Sequence, residues 1–144
     1  MLNVEKVLYS ARTHTKGGRD GVGRSDDGRL DVTLSPPGVP ADGSNPEQLF
    51  AVCWSASFLG ALRHACNARK VPFPATAAVD AQVELLHAEQ GFFLRAHFAI
   101  ALPGIEPELA EVLIDAARHN CPYAKATHGN LAATFSVAQA GPTP

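Results

Sequence analysis

The chemistry this chain could do rests on sulfur and a few charges. Its three cysteines are Cys53, Cys66 and Cys121. Cys53 and Ser57 stand four positions apart, so on a helix they share a face. Cys121 precedes Pro122 and should fall where a helix stops, because proline disfavours helical geometry in the residue before it. Arg19 sits inside Gly17-Gly18-Arg19-Asp20-Gly21, and Glu47 opens the segment that begins Asn45-Pro46. A cation beside a thiol lowers its pKa and exposes a nucleophilic thiolate. A carboxylate can in turn hold a guanidinium in one direction. Each residue alone also has a simpler reading. Arg19 could be a solvated loop residue, and Glu47 is favoured in a first helical turn by the dipole. Cys53 could be a small apolar filler, and Ser57 could bond back to the carbonyl one turn earlier.

The elements that would have to position these side chains can be read from pattern. Val4 to Thr15 reads as a first strand, ended by the glycine cluster, and Leu30 to Leu34 alternates as a second. Ser35 to Ser44 is a loop by composition. A helix then starts sharply, with Asn45 able to cap, Pro46 at the first helical position and Gln48 placed as a capping-box partner. Leu49 to Leu62 carries no charge, which predicts a helix buried nearly all round. Arg63, His64, Arg69 and Lys70 return its far end to solvent. Ala75 to Leu86 and Phe92 to Leu102, joined by Glu89-Gln90-Gly91, read as a hairpin. Pro107 opens a second helix with a stripe of Leu109, Val112, Leu113 and Ala116, ending near Asn120. Leu131 to Val137 is a last strand, and residues 138–144 read as a frayed tail. The expectation is one α+β domain over residues 1–144.

Composition removes several function classes. Apolar residues make up 46% of the 144 and charged ones 18%, the balance of a folded globular protein. A net charge of -2 offers no electrostatic attraction for nucleic acid or an anionic membrane. The uncharged apolar stretch from Leu49 to Leu62 is too short to cross a bilayer. The first residues lack the basic and apolar regions of a signal peptide, so a cytoplasmic protein is expected. An odd number of cysteines argues against a disulfide framework. No metal site is expected either: His119, Cys121 and His128 are near in sequence but follow no ligand spacing.

Together the segments resemble one family. The glycine cluster around Arg19, then Asn45-Pro46-Glu47-Gln48-Leu49-Phe50-Ala51, then Phe58-Leu59-Gly60-Ala61-Leu62 are similar to the organic hydroperoxide resistance proteins of the OsmC superfamily. Cys121-Pro122-Tyr123-Ala124-Lys125-Ala126-Thr127, followed by Gly129-Asn130, matches that family's C-terminal signature. The resemblance runs from about Val7 to Val137.

The resemblance implies an OsmC-like fold of antiparallel sheets around a buried central helix, in an intertwined homodimer with the pockets at the interface. It also implies a thiol peroxidase. In that family a thiolate on the central helix reduces an organic hydroperoxide and becomes a sulfenic acid. A second cysteine condenses with it, and an external dihydrolipoyl group, on a lipoylated protein or as dihydrolipoamide, reduces the disulfide. No cofactor is bound. By position Arg19 matches the arginine that steadies the thiolate, Glu47 the carboxylate that holds it, and Cys121 the resolving cysteine. The reacting position carries Ser57, where the family reads cysteine. A hydroxyl has no counterpart to the thiol-to-sulfenate step. Ser57 is therefore either an engineered replacement or a natural variant. In the second case Cys53 could have taken over, or the chain could be a non-catalytic relative that binds a hydrophobic ligand. A hydrolase using Ser57 would need a base and an oxyanion hole, and no Gly-x-Ser-x-Gly elbow surrounds it.

Overall fold

The computed structural model describes residues 5–138. They fall into two compact units that divide after Pro46, and the secondary structure is α+β as expected.

The first unit holds a three-stranded antiparallel sheet in the order β1 (Thr13–Lys16), β2 (Val22–Ser25), β3 (Asp31–Thr33). The expected strand from Val4 to Thr15 shrinks to β1, Val4 itself lying outside the described residues. Val7, Leu8 and Tyr9 remain 80%, 87% and 78% exposed. Their alternation supplies side chains for a strand, but a strand also needs a neighbour for its backbone groups, and β1 begins only where β2 pairs with it. β2 gives no sequence signal because it is four residues of Val-Gly-Arg-Ser. Between β1 and β2 the glycine cluster makes a tight turn: Gly17 has φ 83, and a Cβ at Gly21 would collide with the Lys16 carbonyl. Arg19 sits exposed on this turn, in a short 3-10 segment from Gly18 to Asp20.

The second unit is built on α1 (Pro46–Ala68), the hairpin β4 (Ala78–Ala88) and β5 (Gly91–Ala101), α2 (Pro107–Asn120), α3 (Pro122–Thr127) and β6 (Ala132–Val137). The sheet order is β4-β5-β6. This sheet is not antiparallel throughout, because β6 runs parallel to β5. The chain between them includes two helices, long enough to return to the same end of the sheet. The interior positions of β5, Ala96, Phe98 and Ile100, alternate as a period of two demands. On the opposite face Glu84 takes both Arg95 and His97, and His97 also meets Thr134.

The core is where α1 and α2 meet that sheet. Trp54, Phe58, Leu62 and Cys66 recur every four residues along α1 and are wholly buried. Phe98 packs against Trp54 at 4.6 Å and against Phe135 at 4.9 Å between ring centroids. Full burial of such a side chain stabilises by roughly 1.5–3 kcal/mol. α1 is 23 residues long and apolar enough to cross a membrane by length and composition; here it is the core helix of this unit. It is not buried all round: Val52 is 68% exposed, and Cys53, Ala56 and Gly60 share that exposed side. One sheet can cover only one side of a cylinder, whatever the composition of the other.

The buried stripe of α2 is also rotated from the expected one. It consists of Ala110, Leu113, Ile114 and Ala117, while Val112 is 49% exposed. Apolar residues surround much of this helix, so period alone leaves its phase open and docking decides it. α1 ends in a Schellman motif: Val71 N–H reaches the Cys66 carbonyl at 2.9 Å, and Lys70 N–H the Asn67 carbonyl at 3.2 Å. Lys70 itself takes the left-handed position, φ 56. The tail expected at 138–144 lies, beyond Ala138, outside the described residues.

Candidate active site

Cys121 is held from both sides. Its N–H closes the last turn of α2 on the Ala117 carbonyl, and its carbonyl accepts from Lys125 N–H in the first turn of α3. Pro122 at the first position of α3 lacks an N–H that the turn could not use in any case. The extended backbone at Cys121, φ -70 and ψ 122, ends one helix and starts the next. This break turns its side chain into the core, where it is wholly buried.

The Cys121 thiol donates to the Ser57 hydroxyl oxygen, Sγ to Oγ 3.6 Å. Two residues separated by 64 positions are thus brought side by side by the packing of α1 against the junction of α2 and α3. Ser57 is half-buried, one turn along from Trp54. Cys53 lies on the exposed side of α1, so its shared helical face with Ser57 does not take it into the same surroundings. All three cysteines are free thiols. Burial pushes the Cys66 thiol up in pKa, with the Arg69 charge opposing, and leaves it a packing residue.

Glu47 stands half-buried in the first turn of α1. Arg19 belongs to the first unit, on its exposed turn. Among the described residues no three His, Cys, Asp or Glu side chains gather as a metal site. His119 and His128 instead line a cavity of about 500 Å³ beside Trp54, Arg118, Lys125 and Phe135. Neither Ser57 nor Cys121 lines it. Sequence reading missed this cavity. The one available signal was the cluster of Arg118, His119, Lys125 and His128 around the Cys121-Pro122 motif.

A wholly buried thiol thus meets a half-buried hydroxyl where α1 packs against the α2–α3 junction. The OsmC-like protein family matches residues 39–136. An organic hydroperoxide resistance protein of Xanthomonas axonopodis pv. citri is 38% identical over 142 residues, 96% of this chain and all of that one. The chain belongs to the organic hydroperoxide resistance branch of the OsmC-like family. Solved structures agree with this fold. The crystal structure of the organic hydroperoxide resistance protein OhrB of Bacillus subtilis matches with TM-score 0.86 at 34% identity, covering 91% of this chain and 99% of that one. An organic hydroperoxide resistance protein from Legionella pneumophila matches with TM-score 0.87 at 33% identity, covering 93% and 100%.

Proposed function

We propose that this chain is the scaffold of a thiol peroxidase for organic hydroperoxides, serving defence against oxidative stress in the cytoplasm, in which Ser57 occupies the peroxide-reducing position. The observation that carries the reading is the contact between Cys121 and Ser57. It pairs the two positions that the family resemblance names as reacting and resolving residues.

With cysteine at position 57 the sequence of steps balances. The thiolate attacks the hydroxyl oxygen of the peroxide, the O–O bond breaks, and the other oxygen leaves as an alkoxide that takes up the proton released when the thiol ionised, giving the alcohol. The resulting sulfenic acid condenses with the Cys121 thiol, forming the disulfide and releasing water. A dihydrolipoyl dithiol then returns both sulfurs to thiols and is itself oxidised. With Ser57 the first step has no acceptor for oxygen, so this form is inert by that route. Arg19 and Glu47 take the roles of thiolate-steadying cation and its carboxylate partner, an assignment supported by the family motifs. Three free thiols suit a reducing compartment.

The assay is consumption of an organic hydroperoxide with dihydrolipoamide as reductant. Little turnover is expected from the Ser57 form and a sharp rise from Ser57→Cys. Strong activity of the Ser57 form, or a peroxide-driven Cys53–Cys121 crosslink, would move the reaction to Cys53.

The chain acts as a homodimer in this reading. Support comes from the exposed Val7, Leu8 and Tyr9 and from the uncovered side of α1 around Val52, apolar side chains that a second copy could cover. Light scattering at micromolar concentration should give twice the mass of the chain. A monomer would refute this part.

A further inference from the structure

We infer that the cavity beside Trp54 is a binding site for an apolar monocarboxylate. Its volume of about 500 Å³ falls within the roughly 300–1,000 Å³ typical of small-molecule sites. One side is apolar, formed by Trp54, Leu131, Ala133 and Phe135. The other carries Arg118, Lys125 and His128, with Asp115 as the opposing carboxylate. Two fixed cations against one fixed anion leave a single positive charge unmatched, which suits a monoanion.

Two details point to an absent partner. The Arg118 guanidinium lies 4.7 Å over the Phe135 ring. That stacking fixes its plane at the cavity wall and leaves its N–H edges for another acceptor. Neither Arg118 nor Lys125 joins an ion pair among the described residues. A carboxylate head would meet these cations, and an alkyl or aryl body would cover Leu131, Ala133 and Phe135. A phosphate would leave the apolar side empty, and an amine would be repelled. The proposal does not depend on the reaction at position 57.

Trp54 is the only tryptophan of the chain, so it reports the site without a label. Octanoate should change its fluorescence saturably and move the single indole N–H resonance as the surroundings of the ring change. Octanol should bind at least tenfold more weakly, and inorganic phosphate and octylammonium should leave the signal unchanged. Lys125→Gln removes a charge from an exposed helix position without disturbing the core. It and Arg118→Gln should each weaken octanoate by roughly tenfold, the usual scale for one hydrogen bond to a charged group. No saturable response to octanoate overturns the proposal. So does equal affinity for octanol or phosphate, or octanoate binding that neither variant alters.

Discussion

Replacing Ser57 by cysteine tests the geometry separately from catalysis. The present Sγ to Oγ separation of 3.6 Å must close by about 1.5 Å to reach the 2.05 Å of a disulfide. A rotation about χ1 at either residue, helped by the longer carbon–sulfur bond, spans such a gap without moving the backbone. In the reduced variant the polar contact of Cys121 with a hydroxyl is lost, worth about 1 kcal/mol or less. Oxidation then closes a loop across 64 positions, and the chain-entropy estimate for that loop is about 4 kcal/mol. At about 2–4 °C per kcal/mol for a chain near this size, the oxidised variant should melt about 8–16 °C above its reduced form. Thermal unfolding with and without a reductant reads this difference, and peptide mapping identifies the bridge. The parent chain, with serine at 57, should show no such dependence on reductant. If mild oxidation of the Ser57→Cys variant leaves the introduced thiol and Cys121 unbridged, or bridges them with no gain in Tm, the placement of α1 against the α2–α3 junction is wrong.

Two further outcomes concern stability. Lys70→Gly should stabilise the protein by about 0.5–1 kcal/mol, the left-handed strain relieved at φ 56 less the extra unfolded-state freedom of glycine. The urea midpoint should rise with an unchanged slope, and a fall in midpoint would contradict the motif. The Glu84 carboxyl is held below its ordinary 4.5 by the Arg95 hydrogen bond, against partial desolvation, with the Arg95 and His97 charges adding to the lowering. A depressed folded pKa means stability that is present at neutral pH and lost as the carboxylate protonates. Denaturation midpoints of the parent should therefore fall more steeply than those of Glu84→Gln between about pH 5 and pH 3. Parallel curves would show that the cross-strand pair contributes nothing.

The family and the main elements were legible in the chain itself. Helix starts at Pro46 and Pro107, the hairpin around Gln90 and the last strand are local matters of proline geometry, turn chemistry and period, and the structure places each within a few residues of its expected position. The Asn45–Phe50 and Cys121–Tyr123 segments together carry the family resemblance. What pattern could not reach was every feature set by a partner surface. Strand β1 is short because hydrogen bonding across a ladder, not side-chain alternation, decides where a strand begins. Helix α1 shows one uncovered side because a sheet covers one side of a helix and the charge-free sequence from Leu49 to Leu62 does not say which. The phase of α2 was decided by docking, since Leu109, Val112 and Ile114 offer several apolar faces. The contact between Ser57 and Cys121, and the charged cavity beside Trp54, exist only because distant segments converge. Local preferences act over a turn or a hairpin, whereas a site is made where the burial of Trp54, Phe98 and Phe135 forces remote parts of the chain to share one core.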